Sequence, residues 1–210
     1  WLYMSAFETS LAERSLAILD ILTRVTRKMT EGELLQLTTL NRTDVSEQHY
    51  LDIIQRKTAY LFSACCEVGG ILGNAGEQEQ KALADYGFNL GMAFQLTDDL
   101  LDFTSSDDTL GKGVGVDLLG GKVTLPLIYL LAADSAGRDL VETVMTDGNY
   151  DRVERRQLLA AMDRVGALER ARSRADEYAE AAGRAIANLP VSDYSQALQS
   201  IPTYVLDRDR

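Results

Sequence analysis

The sequence predicts an all-α protein. Apolar residues recur at three- and four-residue spacing through long stretches free of proline, since only Pro126, Pro190 and Pro202 interrupt the 210 residues. No alternating apolar–polar pattern persists beyond a few residues, so no strand is expected. No repeat and no shift in composition marks a boundary, and residues 1–210 read as one domain.

The elements follow in order. Leu11 to Lys28 reads as a helix with Leu16, Leu19, Leu22 and Val25 turned inward, and a shorter helix runs from Glu31 to Thr39. Asn41 to Glu47 is a polar loop, and Ser46 is placed to cap the next helix. That helix carries Tyr50, Ile54, Leu61 and Val68 inward and stops near Gly73. Glu77 to Phe103 is the longest helix, with Leu83, Tyr86, Leu90, Phe94, Thr97 and Leu101 inside. Thr104 to Gly121 collapses into a polar, glycine-rich loop. A helix then begins near Thr124, with Pro126 in its first turn where a missing N–H does no harm, and ends about Ala133. A helical region of mixed charge spans Asp151 to Leu189, and a last short helix lies between Asp193 and Arg210. Apolar residues start at once (Trp1, Leu2, Met4, Phe7), so residue 1 reads as the middle of an element with further sequence upstream.

Composition narrows the function. Hydrophobic residues at 46% and charged residues at 25% exclude a disordered chain. With 32 acidic against 21 basic residues and a net charge of −11, general binding to nucleic-acid backbones is excluded. The eight arginines from Arg152 to Arg184 are interspersed with seven acids from Asp151 to Glu180, which predicts a salt-bridged exposed surface instead. No run of 18 apolar residues occurs, so no transmembrane helix is expected. The only cysteines, Cys65 and Cys66, are adjacent and cannot build a disulfide framework. His49 is the single histidine, so a structural zinc site is not expected, and a reducing cytoplasm fits.

Three features carry chemistry. The first is Gln95-Leu-Thr-Asp98-Asp99-Leu-Leu-Asp102, three carboxylates within about a helical turn inside an otherwise apolar segment. Unscreened, these charges repel. As hard oxygen ligands they suit Mg2+, which takes a few carboxylates together with water and substrate phosphate. The competing reading is an exposed acidic half-helix, which opposes the helix dipole. The second feature is Lys57-Thr58, with Lys57 on the apolar stripe of its helix, where it either snorkels outward or meets an anion inside. The third is the loop that holds Lys112 (GKGVGVD) and Lys122 (GGKVTLP). Glycine lets backbone approach a ligand and lysine neutralises phosphate, although a plain surface loop would look similar. No GxxxxGK[ST] occurs and no strand precedes the loop, so a nucleotide P-loop is excluded.

Taken together, these segments resemble the trans-isoprenyl diphosphate synthases, the polyprenyl synthetase family. Gln95 with Asp98, Asp99 and Asp102 is similar to the family's second aspartate-rich motif. Lys57-Thr58 resembles its KT pair, GKGVGVD and GGKVTLP its two-lysine loop, and EGELLQL at 31–37 a further family segment. The resemblance runs over almost the whole chain, in order. It implies an isoprenoid-synthase bundle of antiparallel helices around a central cavity, with the N-terminal helices missing. It also implies chain elongation, in which an allylic diphosphate ionises with Mg2+ help and isopentenyl diphosphate adds to the resulting cation. By the same resemblance Asp98, Asp99 and Asp102 form the metal wall, with Asp98 the direct ligand. Lys57, Lys112 and Lys122 hold the allylic diphosphate, and Thr58 and Gln95 set oxygen dipoles near the cation. A homodimer is implied as well.

One departure is large: the family's first aspartate-rich motif has no counterpart here, since Asp107-Asp108 lacks an apolar helical setting. The expectation is that this chain alone is inactive and that a longer parent protein is the enzyme. A non-catalytic partner subunit and a related terpene cyclase or head-to-head synthase are the alternatives. The acidity itself is local, with nine acids and two lysines between Gly76 and Asp117.

Overall fold

The computed structural model describes residues 1–104 and 115–207, and among these every regular element is helical. The helices are α1 (Leu2–Ala12), α2 (Leu16–Thr39), α3 (Glu47–Ile54), a π-helical segment (Gln55–Ala59), α4 (Tyr60–Leu72) and α5 (Glu77–Thr104). They continue as α6 (Val116–Leu119), α7 (Leu125–Ala133), α8 (Ser135–Asp147), α9 (Arg155–Arg164), α10 (Ala167–Ala185) and α11 (Asp193–Leu206). No helix among the described residues is long and apolar enough to cross a membrane.

α5 is the axis of the bundle. It packs most extensively against α4 on one side and α10 on the other. α10 presents a stripe of small residues, with Ala167, Ala171, Ala175, Ala179 and Ala182 all buried. These let its backbone lie close to α5. α7 is buried around nearly its whole circumference, from Leu125 to Leu131, as its apolar sequence requires. It anchors the main core with Leu96, Leu100 and Phe103 of α5 and Leu158 and Met162 of α9.

Several elements differ from the sequence reading, each for a local reason. The helix expected from Leu11 is broken at Arg14, whose φ is +53°, and α2 restarts behind a Ser15 cap that accepts from Ile18 N. Its inner stripe is Ile18, Ile21 and Val25, and Leu16 faces solvent. α2 then runs unbroken through Glu31. Gly32 weakens the helix locally, but it sits where a Cβ would lie 2.9 Å from Lys57 N, so close packing holds it. α8 was not foreseen. It starts one residue after α7, at an Asp134 cap that accepts from Ala136 N, and ends at Gly148 with φ +65°. Gly166 divides the mixed-charge region into α9 and α10.

The Ser46 cap is as expected, accepting from His49 N at 3.2 Å. The helix it starts is not a uniform α-helix. At Gln55–Ala59 the hydrogen bonds step to five residues, Tyr60 N donating to Gln55 O. One extra residue in the turn rotates everything after it by about 100°. The buried positions therefore pass from Tyr50 and Ile54 to Ala59, Ala64 and Gly70, while Leu61, expected inside, is exposed.

Candidate active site

The π segment and α5 face each other across the bundle. α5 carries glycine at 87 and 91, and at Gly91 a Cβ would lie only 2.7 Å from the Ala59 Cα. This close approach brings Thr58 over Gln95. The Thr58 hydroxyl donates to Gln95 Oε1 at 2.7 Å, and Gln95 Nε2 donates to Asp99 Oδ1 at 2.9 Å. The Tyr50 hydroxyl of α3 completes the chain, donating to Asp99 Oδ2 at 2.5 Å. Tyr50 and Asp99 are both buried, at 5% and 7% exposure.

A second wall comes from the segment after the loop. Lys122 Nζ donates to Asp117 Oδ1 at 2.6 Å. Asp102 fixes the start of α6, its two carboxylate oxygens accepting from Val116 N at 3.1 Å and Asp117 N at 3.2 Å. Asn41 N, just after α2, donates to the Gly121 carbonyl at 2.8 Å and ties the lysine-bearing turn to α2. The third wall is α2 itself, where Lys57 Nζ lies 2.8 Å from Gln36 Oε1 and 3.1 Å from Glu33 Oε1. Lys57 thus meets an anion across the helix interface.

These walls enclose a cleft lined by Tyr50, Lys57, Gln95, Asp99, Asp117 and Lys122, together with Gln36, Thr39 and Thr124. The electrostatics follow from burial. Asp99 is pushed up to about 7 by desolvation, against the hydrogen bonds from Tyr50 and Gln95. Desolvation, together with the Asp117 charge, also raises Asp102, opposed by the backbone amides it accepts. Burial disfavours charge on Lys122, but its hydrogen bond to Asp117 and the nearby Asp99 and Asp102 outweigh this and raise its pKa.

The structure therefore brings Lys57, Thr58, Gln95, Asp99 and Lys122 together. Asp98 is half-buried one turn before Asp102 on α5. Lys112 lies outside the described residues, as do Asp107 and Asp108. The three acids fall within one arc of about 100° on α5, but Asp99 bonds to Tyr50 and Gln95 while Asp102, four residues after Asp98, accepts from the amides that open α6. Among the described residues no three acidic, cysteine or histidine side chains converge into a self-sufficient metal site. That donor set suits a hard divalent ion that takes one or two carboxylates and completes its shell with phosphate and water.

Sequence reasoning missed Tyr50, Gln36, Asp117 and Thr124. Tyr50 had counted only as a core residue, although a buried tyrosine hydroxyl needs a partner. Thr124 is 4% exposed, and its Oγ1 has no hydrogen-bond partner among the described residues. The arginine-rich surface is only partly a set of exposed ion pairs. Arg170 stacks on Tyr129 at 3.9 Å, and Arg155 donates to the Phe103 carbonyl at the end of α5.

The arrangement defines a class: an all-α bundle with carboxylates on one helix and lysines on the elements facing it. The chain belongs to the polyprenyl synthetase family, whose model matches residues 1–162. It is 38% identical to the octaprenyl diphosphate synthase of Escherichia coli (strain K12), over 100% of this chain and 65% of that protein. It is also 38% identical to an all-trans-nonaprenyl-diphosphate synthase (geranyl-diphosphate specific) of Rhodobacter capsulatus, over 99% of this chain and 63% of that protein. Among solved structures, a polyprenyl synthase from Caulobacter crescentus CB15, complexed with calcium and isoprenyl diphosphate, superposes with TM-score 0.90 at 36% identity. That match covers 98% of this chain and 63% of the other. The chain thus spans just under two thirds of the length of these relatives.

Proposed function

We propose that the protein containing this chain condenses isopentenyl diphosphate with an allylic diphosphate to give a longer trans-polyprenyl diphosphate. The observation that carries this reading is the cleft in which Lys57, Gln95 and Lys122 meet, with Thr58 bonded to Gln95. Family membership and the names of the relatives support it. Lys57 and Lys122, with Lys112 by resemblance, hold the allylic diphosphate and neutralise it as the C–O bond breaks. The Gln95 carbonyl and the Thr58 hydroxyl oxygen face the carbon where positive charge develops. The double bond of isopentenyl diphosphate then forms the new C–C bond, and a proton is lost. Apolar helix faces exclude the water that would quench the cation.

The metal belongs to this proposal. Asp98, with Asp102 beside it, would hold Mg2+, which when bound neutralises the departing diphosphate. Asp99 is assigned to orienting Gln95. A homodimer, a cytoplasmic setting and a single domain over residues 1–210 are parts of the same reading, supported by the family resemblance and by cysteine usage.

The test is incubation of the full-length protein with farnesyl diphosphate, labelled isopentenyl diphosphate and Mg2+. Label should appear in a longer prenyl diphosphate. If no labelled product forms, the reading fails. If product forms only when a catalytic homologue is added, the chain comes from a partner subunit.

A further inference from the structure

The two ends of a glutamine amide are nearly the same shape, so shape alone does not decide which end faces a cleft. At Gln95 the decision falls to its neighbours. Asp99 Oδ1 accepts from Gln95 Nε2, which leaves Gln95 Oε1 to accept from Thr58. Thr58 spends its hydroxyl hydrogen on that bond, so only oxygen lone pairs remain for anything else. The polarity of the pair thus depends on how the Asp99 carboxylate is held. One partner of that carboxylate is Gln95 itself, and the other is Tyr50, at 2.5 Å on Oδ2.

We propose that Tyr50 is a positioning residue: by holding the Asp99 carboxylate it fixes the direction of the Gln95 amide, so that the oxygens of Gln95 and Thr58 are offered to positive charge in the cleft. The inference rests on the elongation reading above and deepens it. The π segment makes the arrangement possible. Tyr50 lies before the phase shift and Thr58 within it, so one continuous rod meets α5 at both Asp99 and Gln95. Without the Tyr50 hydroxyl, Asp99 Oδ2 is a buried acceptor with no donor. The carboxylate is then free to turn toward Lys122, whose charge already acts on it, and Gln95 loses its restraint.

The test uses two allylic diphosphate analogues of equal length. One carries a protonated amine where the cation forms, and the other is a thiolodiphosphate that is neutral at that carbon. Binding to the full-length protein with Mg2+ is measured by titration calorimetry. In the wild type the ammonium analogue should bind more tightly than the neutral one. Tyr50→Phe should weaken the ammonium analogue about tenfold, the scale of one misplaced hydrogen bond, and change the neutral analogue less than about twofold. In a Gln95→Leu background, Tyr50→Phe should have no further effect.

Asp99→Asn is the second variant. It keeps the volume but offers an N–H to Gln95; because losing the charge alone also weakens an ammonium ligand, the loss that counts is the part that vanishes in a Gln95→Leu background. It carries the test if Tyr50→Phe does not fold. Equal weakening of both analogues would show a merely structural role and overturn the proposal, as would an ammonium preference that survives the variants. A wild type that elongates yet shows no ammonium preference also overturns it. Absence of elongation in the wild type overturns the reading beneath it.

Discussion

Gly91→Ala tests the crossing that builds the site. The added Cβ would lie 2.7 Å from Ala59 Cα and 3.0 Å from Phe62 Cβ, where ordinary contacts begin at 3.4 Å. Both obstacles belong to the same rod, and the nearer is backbone, so no side chain can swing away. The rod and α5 must part by about 0.7 Å, the overpacking regime that costs roughly 1–3 kcal/mol. Alanine is the better helix former and returns about 1 kcal/mol. The net loss is about 0–2 kcal/mol, and each kcal/mol is worth roughly 2–4 °C in a chain of this size. Gly183 in α10 is the control, because a Cβ there meets nothing within 4 Å. Gly183→Ala should therefore gain about 1 kcal/mol and melt a few degrees higher. Thermal unfolding followed by far-UV circular dichroism compares the two. The same parting stretches the 2.7 Å bond between Thr58 and Gln95, so turnover of the full-length Gly91→Ala protein should fall out of proportion to its stability. A Gly91→Ala protein as stable as Gly183→Ala would refute the reasoning.

Asp98→Ala in the full-length protein should lower turnover by roughly a hundredfold, the scale of a lost electrostatic partner, with a melting temperature near wild type. A large drop in melting temperature would point to a structural role. Lys57→Ala should raise the allylic-substrate KM and lower turnover, and unchanged kinetics would reduce Lys57 to a partner of Glu33 and Gln36. Asp99, raised to about 7, binds its proton more tightly folded than unfolded. Its stabilisation is present in full below about pH 4, is lost as pH rises to about 7, and is flat above. In metal-free buffer the wild type should lose about 2–3 kcal/mol relative to Asp99→Asn between pH 5 and 7.5. Parallel stability curves for the two proteins would remove the buried-carboxyl account.

The helical character and the longest helix were legible because apolar periodicity records which face is buried. Legible, too, were the residues whose chemistry is unusual for their surroundings: carboxylates amid leucines, and a lysine on an apolar stripe. Lys57, Gln95, Asp99 and Lys122 meet in one cleft, with Thr58 bonded to Gln95, although they come from three separate segments. What stayed hidden was geometry that periodicity cannot express. The π turn leaves no residue signature in QRKTA, so the periodicity runs straight on to Leu61. The different fates of Asp98, Asp99 and Asp102 depend on partners far away in sequence, Tyr50 for one and the α6 amides for another. Such pairings are decided by tertiary packing, and a helical wheel of α5 alone treats the three acids alike.

The π turn at Gln55–Ala59 works as a phase setting between two otherwise ordinary helices. Deleting one residue there would return the rod to a regular α-helix of nearly the same length, with the same caps at Ser46 and Gly73. Helix content and outline would survive, and a superposition would still score well. Yet Tyr50 would be turned about 100° from the face that meets Asp99. For chains of this shape, an intact silhouette is therefore weak evidence of an intact catalyst. The diagnostic quantity is the angular offset between the two halves of one helix.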